Sequence, residues 1–451
     1  MPRSLTMRNI ELSACLRKLV IGVNAKVTLA SGEYVNEINF DNAATTPPFV
    51  SVMREINHFA PWYSSIHRGA GYKSKLSSDL YEQGRDIIKK FVHADHSRDI
   101  VIYTKNTTES INMLAYRLSQ QDTQQIVLST DMEHLANDLP WRDKFQVKYV
   151  RIDEYGKLSL LDLEKKLQKY AGKVKLVTVT GASNVTGYIN PIHSIAKLTH
   201  QYGAQILVDG AQLVAHAPID MKPYDSMEHI DYLVFSAHKM YAPFGVGVLI
   251  GDKRAFEKGH PIYQGGGDVR LVSHQFIEWD SPPAKDEAGT PNVIGVAALI
   301  TAIEMLDSIG MNVVHEYENH LINYAIEGLK NIPDIKLYSH CAQQEERVSL
   351  ISFAIQGMNH NVVAEILSRE GGIAVRNGLF CAHPYVEKLL HLRIEDLEYL
   401  HNNHNIPIPG LVRISFGLYN NCNEIDILLE LLYTIVRNKN YYKEKYQNIE
   451  I

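Results

Sequence analysis

Residues 231–250 read DYLVFSAHKMYAPFGVGVLI, and the predicted arrangement of the rest of the chain is built around this stretch. It begins with an apolar run, 232–235, that predicts a buried strand, and then continues through a polar cluster and a Pro/Gly loop to a second apolar run. Lys239 in the polar cluster is therefore expected at the end of a strand. A lysine in such a position is most often simply solvated. It can also form a Schiff base with a carbonyl cofactor, because partial desolvation makes a lysine amine more nucleophilic.

A second apolar run, upstream of the first, ends in a carboxylate. Residues 205–212 read QILVDGAQ, so Asp209 follows a short predicted strand much as Lys239 does. An acid and a lysine at the ends of neighbouring strands suit pyridoxal phosphate, whose pyridinium nitrogen needs an anionic partner to act as an electron sink. The two groups therefore predict one site, outside the strand ends of an α/β sheet.

Length and composition limit the classes of function. A chain of 451 residues, 45% hydrophobic and 21% charged, predicts two domains of ordinary soluble composition. The formal net charge of −6 gives no reason to expect nucleic acid or an anionic membrane as a partner. Without a membrane-length apolar stretch or a clear signal peptide, a cytoplasmic location is expected. Four widely spaced cysteines predict a reduced protein without a disulfide framework or zinc site: Cys15, Cys341, Cys381 and Cys422.

Taken together, the two strand-end motifs resemble those of the class V branch of the fold-type I pyridoxal-phosphate enzymes, and within it the cysteine desulfurase and selenocysteine lyase group. The resemblance extends over about residues 39–432, with the motifs in the family's order. It implies an α/β fold with a large domain, built on a mostly parallel sheet covered by helices, and a smaller α+β C-terminal domain. The expected segments are a lead-in packed on the small domain, the large cofactor-binding domain, and the small domain with its connecting helix: 1–38, 39–292 and 293–451.

The resemblance also assigns the cofactor contacts. It implies that Lys239 carries the cofactor, that Asp209 pairs with the pyridinium nitrogen, and that His134 lies on the cofactor's face, where it can move protons. Thr290 is implied to reach the phosphate of a neighbouring subunit, so a homodimer is expected. The other implied contacts are to the phosphate, to the phenolic oxygen and beside the lysine: Thr107, Thr108, Asn184, Gln212, Ser236 and His238.

Several of these residues have a simpler interpretation when they are taken alone. Thr107 and Thr108 precede a helical pattern and could merely cap it. Asn184 stands in a turn, where asparagine is common for conformational reasons. A lone histidine such as His134 is more often structural than catalytic. The family order favours the functional interpretation of each residue.

The substrate contacts are implied by two further segments. Asn42 and Ala43, in the INFDNAATTPP stretch at 38–48, match the substrate entrance of the family. Arg413 matches an arginine that makes a bidentate contact with the carboxylate of an amino-acid substrate. The planar pair of donors of a guanidinium suits this contact. Arg376 is expected in the same pocket. The substrate is therefore expected to be an α-amino acid, with L-cysteine as the first candidate.

Cys381 matches the desulfurase nucleophile, but its surroundings differ from the usual pattern. Leu379 and Phe380 stand where two histidines precede the cysteine in that group, and Gly71 replaces a histidine after the HRG motif. The first interpretation is a desulfurase that converts L-cysteine to L-alanine, holds the sulfur on Cys381 as a persulfide and passes it to an acceptor protein.

Two other interpretations stay open. In the second, the protein is another pyridoxal-phosphate enzyme, an aminotransferase, epimerase or different lyase, and Cys381 is a packed thiol; the missing histidines favour it. In the third, the protein is a binding protein without a cofactor, which the complete set of cofactor-binding residues disfavours.

The pattern outside the site gives four more expectations. A long helical pattern covers about 293–329 and is expected to connect to the second domain, and residues 385–410 are typical of an exposed insertion. His401 and His404 are expected in an Asn-rich loop of that insertion, where the lack of nearby carboxylates or thiols argues against a metal. The Lys/Tyr/Asn-rich C-terminal residues are expected to form a loosely held tail.

Overall fold

The computed structural model describes residues 7–121, 125–338 and 346–446, so Cys341 lies outside the described residues. The helices are α1 (Met7–Arg17), α2 (Val50–Phe59), α3 (Tyr72–Phe91), α4 (Thr107–Ser119), α5 (Leu139–Arg142), α6 (Leu160–Lys169), α7 (Ile192–Gln201), α8 (Lys253–Glu257), α9 (Val293–Ile309), α10 (Met311–Lys330), α11 (His360–Gly371), α12 (His383–Leu389), α13 (Ile394–Asn402), α14 (Cys422–Arg437) and α15 (Lys439–Lys445). Short 3-10 turns lie at Ala60–Trp62, Leu135–Asn137, Ala237–Lys239 and Ala284–Asp286. The strands are β1 (Lys26–Thr28), β2 (Tyr34–Asn36), β3 (Ile38–Asn39), β4 (Asp99–Thr104), β5 (Ile126–Thr130), β6 (Gln146–Val150), β7 (Val174–Thr180), β8 (Gln205–Asp209), β9 (Tyr232–Ser236), β10 (Gly247–Asp252), β11 (Val269–Val272), β12 (Ile277–Trp279), β13 (Ile335–Leu337), β14 (Leu350–Ile355), β15 (Ile373–Ala374), β16 (Arg376–Gly378) and β17 (Leu411–Ser415).

The chain divides into two compact units. The larger unit consists of Pro48–Ala182 and Asn190–Met311. The smaller unit combines the described parts of three segments: 1–47, 183–189 and 312–451. The family-based boundaries after residues 38 and 292 stay a prediction.

The larger unit is built on a seven-stranded sheet in the order β4-β10-β9-β8-β7-β5-β6. Strands β6, β5, β7, β8 and β9 run parallel, whereas β10 pairs antiparallel with both β4 and β9. Every residue of β4, β5 and β9 is buried. Because successive side chains of a strand point to opposite faces, both faces of the sheet are covered. The predicted mostly parallel α/β sheet is confirmed.

Helix α4 shows how the sequence builds this core. Its apolar residues Ile111, Leu114 and Leu118 recur at the spacing of one helical face and belong to one buried cluster with residues of the sheet. Burial of each such side chain contributes about 1.5–3 kcal/mol. The cluster therefore fixes the N-terminus of α4 beside the ends of the central strands.

The smaller unit has an antiparallel sheet of four strands in the order β13-β14-β17-β16. Two separate two-stranded sheets belong to the same unit: the antiparallel hairpin of β1 and β2, and the short parallel pair of β3 and β15. Helices α11 and α14 are amphipathic and bury one face each. This is the α+β arrangement predicted for the smaller domain.

The helical pattern predicted for about 293–329 is confirmed, and the structure divides it into two helices. These are α9 and α10, which are separated at Gly310, where a φ of 88° ends the first helix. Positive φ is open to glycine and costly for other residues, so the break follows from this one position. No single helix among the described residues is long and apolar enough to cross a membrane.

Two expectations about the region 385–410 need correction. Residues 385–410 are not wholly exposed, because Tyr385 and Val386 in α12 are buried. His401 lies in the last turn of α13 instead of a loop, and no group of three metal-ligating side chains occurs within the described ranges.

The C-terminal segment up to residue 446 is not a loose tail. It forms α15, which is tied to the rest of the smaller unit by ion pairs from Lys439 to Asp334 and from Lys445 to Glu370, each at 2.6 Å.

Candidate active site

Lys239 and Asp209 lie at the ends of adjacent parallel strands in the larger unit. Asp209 is the last residue of β8, and Lys239 ends the 3-10 turn that follows β9. The carboxylate of Asp209 is buried and accepts a hydrogen bond from the backbone N–H of Ala211 at 3.0 Å. Burial raises the pKa of Asp209, whereas the Ala211 N–H and the charge of Lys239 lower it. A cationic partner would lower the pKa of this carboxyl group and favour its ionised form.

The N-terminus of α4 lies at the same edge of the sheet. Asn106 caps it by accepting from the backbone N–H of Glu109 at 2.9 Å. The N–H and hydroxyl of Thr107 bond to the Ser236 hydroxyl at 2.8 and 2.6 Å, which ties the helix to the end of β9. Thr108, in the same turn, is exposed. A helix N-terminus with a hydroxyl beside it suits a phosphate group.

Three more of the predicted cofactor residues belong to the larger unit. The Nδ1 of His134 accepts from the backbone N–H of Ala136 at 3.0 Å, which leaves the proton of the neutral ring on Nε2. Gln212 is buried. Burial, followed by the charge of Lys239, lowers the pKa of His238 to about 4, so its ring is neutral near pH 7.

Glu133 is a buried carboxyl group that the sequence analysis missed. It accepts hydrogen bonds from the Thr130 hydroxyl, the Asn137 amide and the backbone N–H of Thr180, at 2.5, 2.6 and 3.0 Å. Burial, with a smaller contribution from the charge of Asp209, raises its pKa to about 8. Glu133 is therefore mostly neutral at pH 7 and adds little negative charge to the surroundings of Asp209. Its place next to His134 in the sequence was the available signal.

Thr290 is exposed and borders a cleft of about 550 Å³ that also includes His67 of the HRG segment. Arg85 joins the two sides of this cleft. Its Nη1 lies 2.8 Å from Glu287, three residues before Thr290, and its Nε lies 3.0 Å from Glu82, which in turn contacts His67 at 2.9 Å. The HRG and Thr290 segments are thus held together within the larger unit.

Arg413 is the centre of a second group, in the smaller unit. It lies on β17 with 3% of its surface exposed, and its Nη1 donates to the backbone oxygen of Asn184 at 2.9 Å. Its Nη2 lies 3.3 Å from Asp41, whose other oxygen lies 3.3 Å from Nε of Arg376. Burial lowers the pKa of Arg413 to about 10, and Asp41 opposes the shift. The guanidinium therefore stays charged at neutral pH.

Asp41 is the second residue that was not predicted from the sequence. The next two residues, Asn42 and Ala43, hold its segment in position. Asn42 is completely buried; its amide donates to the backbone oxygen of Ser415 at 3.0 Å and accepts from the Tyr419 hydroxyl at 2.7 Å. Ala43 is buried and donates its N–H to the Ser415 hydroxyl at 2.9 Å. Both residues hold this segment against β17, and Asp41 is the member that contacts both arginines. Direct substrate contact by Asn42 and Ala43 stays a prediction.

Cys381 lies in the smaller unit and is exposed. The carbonyl oxygen of the preceding residue, Phe380, accepts from Nδ2 of Asn184 at 2.7 Å. Cys381 also interacts electrostatically with Arg413. The structure therefore brings three predicted residues together in this unit: the cysteine, Asn184 and the arginine.

The larger-unit residues fit pyridoxal phosphate by the chemistry of their side chains. A buried carboxylate ends one strand, a lysine amine follows the next, and a helix N-terminus with its first-turn hydroxyls lies at the same edge. The cofactor needs an anion for its ring nitrogen, an amine for its aldehyde and donors for its phosphate. Each requirement has a matching group here.

The fold and site define a class of protein. The family described as aminotransferase class-V matches residues 38–428, and the chain belongs to that family. The predicted resemblance is confirmed.

Within that class, the chain is similar to cysteine desulfurases. It is 35% identical over 408 residues to a probable cysteine desulfurase of Synechocystis sp., covering 89% of this chain and 91% of the relative. It is 32% identical over 403 residues to a cysteine desulfurase of Haloferax volcanii, covering 88% of each chain. The solved apo structure of a cysteine desulfurase from Thermococcus onnurineus superposes with a TM-score of 0.79 at 30% identity, over 89% of this chain and 95% of that one. The fold-type I architecture predicted from the sequence is thereby confirmed.

Proposed function

We propose that the protein is a pyridoxal-phosphate-dependent cysteine desulfurase, which converts L-cysteine to L-alanine and takes up the sulfur on Cys381 as a persulfide. The observation that carries the proposal is the exposed Cys381 thiol in a loop bonded to Asn184, whose backbone also holds Arg413. The similarity to cysteine desulfurases over most of the chain supports it.

The larger unit would hold the cofactor. Lys239 would bind it covalently, Asp209 would pair with its ring nitrogen, and Thr108 with the α4 N-terminus would bind its phosphate. When bound, the cofactor supplies an electron sink for the α-carbon of the amino acid. His134 would lie on its ring and move protons through Nε2, the nitrogen that carries the proton when Nδ1 accepts a hydrogen bond.

The smaller unit would hold the substrate and take its sulfur. Arg413 would bind the α-carboxylate, because a guanidinium presents two parallel donors to a carboxylate. The Cys381 thiolate would then attack the substrate sulfur, so that an S–S bond forms and the C–S bond breaks. The electron pair of the broken bond stays with the β-carbon, which is protonated to give alanine.

A second candidate function is another class V reaction in which Cys381 takes no part, such as transamination, epimerisation or a different elimination. The apolar Leu379 and Phe380 beside the cysteine favour it, because neither side chain can exchange a proton. The exposure of the Cys381 thiol argues against a merely packed cysteine.

The two candidates give different products, so one assay separates them. The purified protein, loaded with cofactor, is incubated with L-cysteine and with other amino acids in the presence of excess dithiothreitol, which reduces the persulfide and releases its outer sulfur as sulfide. Alanine, sulfide and keto acids are measured together. The proposal predicts alanine and sulfide in equal amounts from L-cysteine, and their loss in Cys381→Ser. Keto acid without sulfide would instead establish the second candidate.

The assembly and location form part of the same proposal. A homodimer is supported by the exposed Thr290, which in the family pattern acts on the neighbouring subunit. An exposed Cys381 suits delivery of sulfur to an acceptor protein. A cytoplasmic location rests on the composition and the widely spaced cysteines.

A further inference from the structure

Phe380 closes a cycle of contacts between the cysteine loop and the carboxylate-binding arginine. Its carbonyl oxygen accepts from the Asn184 amide at 2.7 Å, and the Asn184 backbone oxygen accepts from Arg413 at 2.9 Å. The guanidinium of Arg413 in turn lies 5.1 Å from the centre of the Phe380 ring. All three residues are buried. A cation this close to an aromatic ring is attracted to it, and more strongly when both are shielded from water.

The backbone at this position is strained. Phe380 and Cys381 have φ angles of 51° and 52°, a left-handed conformation that residues other than glycine rarely adopt. Such a conformation persists only when the surrounding contacts hold it. On one side the Asn184 and Arg413 contacts do so. On the other, the N–H of Ala382 donates to the carbonyl oxygen of Leu379 at 2.9 Å, directly before α12, whose Tyr385 is buried.

We propose that Phe380 is a positioning residue that couples occupation of Arg413 to the position of the Cys381 thiol. The inference rests on the proposed function in one respect, the binding of the substrate carboxylate by Arg413. A carboxylate bound to Arg413 shares the charge that now attracts the ring, so the ring contact weakens as the substrate binds. Because Phe380 directly precedes Cys381 in a strained backbone, a shift of the ring moves the thiol.

The side chain of Phe380 can contribute to this coupling only through its aromatic ring. Phenylalanine has no polar side-chain atom, so its side chain can interact with the charge of Arg413 only through the ring. The coupling is therefore expected to depend on the aromatic ring and not on the volume of the side chain.

The test measures the Cys381 thiol directly, with L-alanine as the probe because it has the α-carboxylate but no sulfur. The cofactor-loaded protein is treated with iodoacetamide, with and without saturating L-alanine, and alkylation of the Cys381 peptide is followed by mass spectrometry. L-Alanine is expected to change the alkylation rate of the wild-type thiol by roughly threefold or more, from the strength of a shielded cation–ring contact. In Phe380→Leu the change should disappear. Phe380→Tyr, which keeps the ring, should retain it, and so should the matched control Leu379→Ala.

Two results would overturn the proposal. One is an equal effect of L-alanine in Phe380→Leu, which would mean that the ligand shields the thiol without help from the ring. The other is a wild-type rate that does not respond to L-alanine although spectral titration shows that L-alanine binds. If Phe380→Leu does not give a cooperative thermal transition, Phe380→Met replaces it as a ringless variant of similar size. Absence of sulfur release from L-cysteine would contradict the proposed function alone, since the alkylation comparison needs no sulfur chemistry.

Discussion

Glu133 is the candidate-site residue whose protonation state is most unusual, because its pKa is raised from 4.5 to about 8 by burial. In the unfolded chain it loses its proton near pH 4.5, whereas in the folded protein it keeps the proton to about pH 8. Its contribution to stability is therefore fully present below pH 4.5 and is lost as the pH rises to about 8.

The variant Glu133→Gln keeps the shape of the side chain but has no carboxyl group that could titrate. As the pH rises from 5 to 8, wild-type stability should fall relative to the variant by at most about 1.4 kcal/mol per pH unit. The measurement is the thermal or urea unfolding of both proteins across this range. A stability difference that does not change between pH 5 and 8 would show that Glu133 is ionised in the folded protein.

Arg413 can be tested at the same scale by Arg413→Lys. The substitution keeps the positive charge but removes the guanidinium, which contacts Asn184 and Asp41 and is proposed to bind the substrate carboxylate. The KM for L-cysteine should rise by about tenfold or more, since hydrogen bonds to charged groups contribute about 1.5–3 kcal/mol. The exposed Arg369, paired with Glu365, provides the matched control Arg369→Lys, which should leave KM unchanged. An unaltered KM in Arg413→Lys would remove Arg413 from the substrate site.

Among the elements, the strands next to the candidate site could be predicted from the sequence, whereas several of the elements around them could not. Strands β8 and β9 are short apolar runs that end in polar residues, and local pattern alone defines them. The division of α9 from α10 depends on the conformation of Gly310. Helix α15 is held by ion pairs to residues about 75 to 105 positions away, and no local pattern contains such contacts.

The site shows the same division between local and long-range information. Lys239 and Asp209 follow their strands and could be assigned from the sequence. Asp41 and Phe380 acquire their roles from Arg413, which lies 372 and 33 positions further along the chain. Their side chains are unremarkable until the fold brings them beside a buried guanidinium.

The first turn of α4 gives a prediction at the scale of an element. Thr108→Ala should weaken retention of pyridoxal phosphate by about tenfold, because it removes one hydrogen bond to a charged group at the helix N-terminus. Equilibrium dialysis of the cofactor measures this. The control is Ser119→Ala at the opposite end of α4, where the hydroxyl bonds only to Tyr116 among the described residues. Unchanged retention in Thr108→Ala would place the phosphate elsewhere.

At the scale of the whole molecule, the proposed dimer implies that each site takes Thr290 from the other subunit. Two differently tagged chains, one with Lys239→Ala and one with Thr290→Ala, can be co-expressed and the mixed dimer purified. If Thr290 acts across the interface, the mixed dimer contains one site with both residues intact. Its cofactor affinity should then match the wild type, whereas the Thr290→Ala homodimer should bind more weakly. Weak binding by the mixed dimer as well would show that Thr290 acts within its own chain.

The mass of the Cys381 peptide shows whether Cys381 receives the sulfur of L-cysteine. The cofactor-loaded protein is mixed with one equivalent of L-cysteine in the absence of reductant, trapped with an alkylating agent, digested and analysed by mass spectrometry. We expect one additional sulfur atom on Cys381, formed together with an equal amount of alanine, and none on the buried Cys422. Formation of alanine while Cys381 carries no added sulfur would contradict the account.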